Sequence, residues 1–98
     1  MADLKINELR AATQDALLDF LRVDLAMCST FLDLAEIELP SEGRSALEAL
    51  GRAERGCETV EQFRLLVEEP KQRLEIEEEL RALKSRLAII RSKLSQIS

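Results

Sequence analysis

The sequence predicts an all-α protein, an antiparallel up-down-up three-helix bundle in which a long helical hairpin precedes a heptad-patterned third helix. Apolar side chains recur at helical spacing over most of the 98 residues. Only three Gly and two Pro interrupt them, and both Pro lie between periodic segments, where short connections favour antiparallel neighbours. A chain of this length forms one domain, so we assign residues 1–98 to a single helical domain.

The first helix is predicted over about residues 4–38, because Pro40 disfavours helical geometry in the residue before it. It carries two apolar rows. The first row is Leu18, Leu21, Leu25, Cys28, Leu32, Ala35 and Leu39, and the second row is Leu17, Phe20, Met27, Phe31 and Leu34. Two adjacent rows form an arc broader than one helix contact needs, so we expect this helix to pack against both of the others.

The second helix is predicted over about residues 42–68. Its inner face is built largely of small residues, which predicts a close approach to the first helix: Ala46, Leu50, Ala53, Cys57 and Val60. Gly51 and Gly56 each weaken a helix by about 1 kcal/mol relative to Ala. Thr59 and Gln62 have the spacing of a capping box. A break after Gly56 is therefore the alternative to the continuous helix that we favour.

The third helix is predicted over about residues 70–97, with Pro70 in its first turn. It has the most regular stripe in the chain: Ile76, Leu80, Leu83, Leu87, Ile90, Leu94 and Ile97. The stripe suits either the core of a bundle or self-association. If two copies pair through it, we expect an antiparallel homodimer, because that arrangement brings Glu77 and Glu79 toward Arg91 and Lys93 of the second copy.

The same helix carries a basic patch at its C-terminal half: Arg81, Lys84, Arg86, Arg91 and Lys93. Nucleic-acid binding through this patch is the alternative function. Residues 1–69 hold 15 acids and 7 bases, a balance of -8, whereas residues 70–98 hold 4 acids and 7 bases, a balance of +3. We therefore expect the bases to pair within the chain, near the acids that collect at the first hairpin, and a net charge of -5 to disfavour a phosphate backbone. Those acids are Asp33, Glu36, Glu38, Glu42 and Glu48.

Three further side chains prompt local predictions. Asp24 interrupts an apolar row, and we expect it at the rim of the core, paired with Arg52 or Arg55. Cys28 and Cys57 lie at unequal distances from Pro40, an axial mismatch of roughly 7 Å that argues against a disulfide. Reduced, buried thiols are typical of a cytoplasmic protein.

The residue inventory narrows the function. The sequence has no His and no Gly-rich phosphate loop, so we expect no catalysis, cofactor, metal or small-molecule substrate. No apolar run is long enough to predict a membrane span. The prediction is a non-enzymatic helical module for protein–protein interaction or self-association. Its candidate surface consists of apolar residues off the main rows: Val23, Ile37, Leu65, Leu74 and Ile89.

A short segment resembles a known family. The stretch "ALEALGRA", with Ala46, Leu50 and Ala53, looks like the second helix of a tetratricopeptide repeat. Upstream, Phe31 and its neighbours Leu34 and Ala35 roughly resemble that family's first helix, although Glu38 stands where an aromatic is expected. The resemblance implies a single repeat-like hairpin followed by a third helix, and a role in binding.

Overall fold

The computed structural model describes residues 2–41 and 43–97, with side chains for residues 8–41 and 43–96. Three α-helices make up nearly all of this region, and it contains no strand. They are α1 (Ala2–Glu38), α2 (Gly43–Phe63) and α3 (Pro70–Ile97), with a 3-10 turn at Arg64–Leu66. The predicted all-α, three-helix class is confirmed.

The helices run up, down and up. A short turn reverses the chain after α1, where the Ser41 amide donates to the Glu38 carbonyl at 3.1 Å. Arg10 of α1 pairs with Glu68, just before α3, and Arg86 lies beside Glu36 near the other end of α1. Because α1 and α3 thus meet start to start and end to end, α3 runs parallel to α1 and antiparallel to α2.

Helix α2 is continuous through both of its interior glycines, so the predicted alternative of a break after Gly56 is wrong. The Thr59 hydroxyl donates to the Arg55 carbonyl one turn back, at 3.0 Å, instead of capping a new helix. The helix ends at Phe63 rather than at the predicted Glu68. Val67 is extended and fully buried, and the chain turns there before Pro70 begins α3.

Helix α3 begins with a complete cap. The Glu69 carboxylate accepts the backbone amides of Lys71 at 3.3 Å and Gln72 at 2.8 Å, while Pro70 occupies the first helical position. Arg73 then donates through Nε to the Val67 carbonyl at 2.9 Å. These bonds fix the angle at which α3 returns along the bundle.

The core is aliphatic and closes around the first apolar row of α1, which is buried from Leu18 to Ala35. The second row does not join it as predicted. Leu17 and Phe31 are half-buried, but Phe20, Met27 and Leu34 stay 47%, 50% and 40% exposed. Because α2 presents mainly small side chains, the helices close tightly over one row of α1 and leave the second outside.

One glycine explains how closely α1 and α2 approach. A Cβ atom at Gly56 would lie 2.3 Å from the Cys28 sulfur, far inside van der Waals contact. That sulfur is held in place by burial and lies 3.5 Å from the Ala53 carbonyl oxygen, to which it donates. Only glycine therefore allows the two helix backbones to pass at this distance.

Candidate functional site

A row of nine residues with alternating steps of four and three runs along the solvent side of α1. We call it the outer seam, and its members are Leu9, Thr13, Ala16, Phe20, Val23, Met27, Thr30, Leu34 and Ile37. All nine are exposed, and the six large apolar side chains among them are 40% to 72% exposed. The row spans four heptads, roughly 42 Å, which is a length typical of a coiled-coil contact.

The two threonines do not interrupt the apolar character of the outer seam. The Thr13 hydroxyl donates to the Leu9 carbonyl at 2.8 Å, and the Thr30 hydroxyl donates to the Ala26 carbonyl at 3.1 Å. Each hydroxyl is thus satisfied within its own helix. Neither needs a partner from outside, so both positions can be covered without stranding a polar group.

The two edges of the outer seam differ. One edge lies along α2, where Phe20 meets Phe63 edge to face with ring centroids 5.9 Å apart. On the same edge the Arg52 guanidinium lies 5.7 Å from the centre of the Phe31 ring. The opposite edge alternates small and acidic residues, namely Ala12, Asp19, Ala26 and Asp33. The apolar strip is therefore bounded by an aromatic wall on one side and by spaced carboxylates on the other.

The five residues predicted as an interaction surface are all exposed, but they do not form one patch. Val23 and Ile37 belong to the outer seam, two heptads apart. Leu65 lies in the 3-10 turn, and Leu74 and Ile89 lie on α3, roughly 22 Å apart along the helix axis. Only Val23 and Ile37 are thus brought onto one helical face.

Most of the outer seam was missed at the level of sequence. Phe20, Met27 and Leu34 were assigned to the core, and Leu9 was assigned to no row. The available signal was the unbroken 4-3 spacing from Leu9 to Ile37, which has the same period as the buried row but lies on another side of the helix. Grouping the exposed residues by that period identifies the surface.

The predicted basic patch on α3 is largely engaged inside the chain. Arg86 pairs with Glu36, with Nε to Oε1 at 2.9 Å, and also with Asp33, as the charge balance predicted. The hydrogen bonds that Arg86 donates to these carboxylates, to Glu36 first, raise the pKa of Arg86. Lys84 pairs with Glu61, and its hydrogen bond lowers the pKa of that carboxyl.

The other three bases of the predicted patch are Arg91, Arg81 and Lys93, of which one is paired. Arg91 pairs with Glu54 of α2. Arg81 and Lys93 make no ion pair with any residue whose side chain is described. Two separated cations do not form the continuous positive strip that a phosphate backbone requires.

The apolar stripe of α3 belongs to the core. Ile76, Leu80, Leu83 and Ile90 are no more than 7% exposed, and Leu87 and Leu94 pack against them half-buried, while the side chain of Ile97 lies outside the described residues. These residues are therefore already covered by α1 and α2 within one chain, and a homodimer through this stripe stays a prediction. Glu77, an expected partner of a second copy, instead accepts a bond from Arg64 at 2.9 Å.

Two local predictions also need correction. Asp24 is half-buried but makes no ion pair with Arg52 or Arg55, because Arg52 stacks on Phe31 instead. Cys28 and Cys57 are free and buried, yet the predicted axial mismatch is wrong, since Cys28 lies level with Gly56. Burial, reinforced by the neighbouring Cys57, raises the pKa of the Cys28 thiol to about 12.

The described side chains contain no group of three Cys, Asp or Glu residues placed to hold a metal ion. None of the described helices is long and apolar enough to cross a membrane. The hairpin that resembles a tetratricopeptide unit buries Ala46, Leu50 and Ala53 in its own core.

Comparison with known proteins finds no matching family model, no matching curated protein and no matching solved structure.

Proposed function

We propose that this protein is a non-enzymatic interaction module that binds an apolar helix along the outer seam of α1. The single observation that supports the proposal is the four-heptad row of exposed residues, in which six large apolar side chains face solvent. An apolar strip of this length is a feature of surfaces that bind another protein. A partner helix laid along it buries these side chains in the a and d layers of a coiled coil.

The nature of the strip also fits a helix better than a small molecule. The outer seam is long, straight and open, whereas small ligands occupy concave pockets that enclose most of their surface. Its period of seven residues matches that of a partner helix and keeps the contact continuous along its whole length. We also place the protein in the cytoplasm, where the two buried thiols stay reduced.

Capture by matched variants tests the proposal. Met27→Lys with Leu34→Lys changes the outer seam, and Leu74→Lys with Ile89→Lys changes the exposed face of α3 by the same charge; all four residues are 40% to 57% exposed. Each immobilised protein is offered a native lysate and, separately, fluorescently labelled wild-type protein. Binding that persists with the α3 variant and is lost with the seam variant supports the proposal. Equal capture by both variants would overturn it.

A further inference from the structure

We propose that the helix bound by the outer seam is the α1 helix of a second copy, running antiparallel about a two-fold axis that passes between Leu21 and Arg22. This inference rests on the proposed function and names its partner. In an antiparallel pair, each copy meets the same residues in the opposite order. The inference follows from which residues of the outer seam and of its edges then face each other. In such a pair, facing residues across the seam have numbers that add to a constant, here 43.

The polar and small positions of the outer seam match each other in this register. Thr13 faces the partner's Thr30, so the only two hydroxyl-bearing residues of the row share a layer, and each is already satisfied in its own helix. Ala16 faces the partner's Met27, which combines a small side chain with a long, adaptable one. Neither layer contains a clash or an unpaired polar group.

The other layers are wholly apolar. Leu9 faces the partner's Leu34, and Phe20 faces the partner's Val23 beside the two-fold axis. These four side chains are 66%, 40%, 47% and 58% exposed in the single chain. Burial of these four side chains falls in the middle of the contact and in the layers of Leu9 and Leu34 on either side of it, while Ile37 lies beyond these layers.

The charged edge selects the same arrangement. On this edge, facing residues have numbers that add to 45: Asp19 faces the partner's Ala26 and Asp33 faces the partner's Ala12, so no two carboxylates of this edge meet. A parallel pair would instead place Asp19 against the partner's Asp24 and Asp33 against the partner's Glu38, in each case twice by symmetry. Like charges at these flanking positions are destabilising, and the parallel dimer is disfavoured.

Neighbouring antiparallel registers fail for the same reason. A shift of one heptad in one direction sets Asp19 against the partner's Asp33 and Asp24 against its own copy. A shift in the other direction sets Asp19 against the partner's Asp19. Both shifts also oppose the threonines to apolar side chains. The outer seam therefore fits an antiparallel copy of itself in one register and in neither of the two neighbouring registers. This selectivity points to a second copy of this chain as the partner.

Opposite charges at Ala26 test both the partner and the register. Ala26 is exposed and makes no side-chain bond, so Ala26→Lys and Ala26→Glu leave the monomer folded, which circular dichroism verifies. The dimer dissociation constant of the chain is measured by sedimentation equilibrium at concentrations up to about 1 mM, which detects dissociation constants up to roughly 1 mM. We expect a wild-type dimer, roughly two- to fivefold tighter binding by Ala26→Lys and weaker binding by Ala26→Glu.

Every other outcome overturns the inference in an identifiable way. Weaker binding by both variants indicates the shifted register in which Ala26 meets its own copy. An unchanged dissociation constant for both indicates a parallel dimer, where Ala26 faces Phe31, or the other shifted register, where Ala26 faces Ala12. A wild-type protein that is monomeric at all concentrations excludes the second copy. In that case, capture of another protein that depends on Met27 and Leu34 would still support the proposed function.

Discussion

Two faces of α1 share one apolar period but differ in what covers them. The inner row, from Leu18 to Ala35, is no more than 4% exposed beneath α2 and α3. The outer seam repeats the same 4-3 spacing over a longer stretch, yet its six large apolar side chains stay 40% to 72% exposed among the described residues. A heptad pattern thus indicates that a helix has a partner. It does not indicate whether that partner belongs to the same chain or to another one.

A shared period also keeps the two faces in fixed relation along the helix. A seven-residue repeat drifts by about 20° per heptad on a straight helix and imposes a left-handed supercoil. Because both rows have this repeat, they drift together, and one supercoil serves the bundle and the outer contact. Helix α1 is therefore suited to be shared by an internal and an external partner.

The largest expected effect separates the two faces with one substitution on each. Leu25→Asp puts a carboxylate in a fully buried site, and we expect it to cost more than about 4 kcal/mol and to unfold the chain. Val23→Asp, two residues away and 58% exposed, should change the free energy of unfolding of the monomer by less than about 1 kcal/mol while abolishing association. Urea unfolding followed by circular dichroism measures both.

The contradicting result is equally definite. If Val23→Asp also unfolds the chain, the outer seam is covered within one molecule and is not an interaction surface. If Leu25→Asp stays folded, the inner row is not the core. Unfolding of the dilute wild-type protein, below the concentration at which it associates, is the reference for both variants.

The second prediction concerns the close packing of α2 against the buried row of α1 at Gly56. Gly56→Ala places a methyl group against the Cys28 sulfur, and we expect it to destabilise the bundle by about 1–3 kcal/mol, because the buried sulfur has to shift and lose its bond to the Ala53 carbonyl. Gly51→Ala is the matched control on the same helix. The nearest atom to its Cβ is the Arg55 guanidinium at 3.7 Å, so helix propensity dominates and stability should rise by up to about 1 kcal/mol.

Thermal or urea unfolding of the two glycine variants gives the comparison directly. Opposite signs indicate that α1 and α2 are in the close contact described above. Two stabilising substitutions would show that the helices stand further apart at Gly56. The outer seam has no such constraint, since its side chains face solvent.

The third prediction uses pH to probe the buried thiol of the inner row. Folding raises the pKa of Cys28 from 9.0 to about 12, because burial disfavours the thiolate. The stability linked to this shift is fully present below pH 9 and is lost as the pH rises toward 12, by about 1.4 kcal/mol per pH unit. Urea midpoints between pH 8 and pH 10.5 measure the slope. Cys28→Ala should reduce the slope and leave the part that comes from Cys57, whose pKa burial also raises. An unchanged slope would contradict the assignment to Cys28.

The fold was largely predictable because its determinants are local or strongly periodic. Pro40 and Pro70 mark the helix boundaries, and the spacing from Ile76 to Leu94 marks a buried stripe. The end of α2 at Phe63 was not predictable, since the extended, buried backbone at Val67 depends on how α3 returns along the bundle. Local pattern does not contain that long-range geometry.

The outer seam was predictable only in part. Val23 and Ile37 were recognised because they lie off the buried row, but Phe20, Met27 and Leu34 lie close enough to it to resemble core. Which of two adjacent rows is buried depends on how many helices the chain can place around α1 and on how small their inner side chains are. The ion pair between Arg86 and Glu36 was predictable, since summed charge and helix direction determine it without detailed packing.

The smallest expected effect on the monomer falls on the outer seam itself. Thr13→Val with Thr30→Val keeps side-chain shape and β-branching and removes two hydroxyls that bond only to carbonyls of their own helix. The free energy of unfolding of the monomer should change by less than about 0.5 kcal/mol. Association should strengthen, because the layer that pairs Thr13 with the partner's Thr30 becomes wholly apolar. Sedimentation equilibrium measures the change, and a double variant that associates no better than wild type would show that these two positions lie outside the contact.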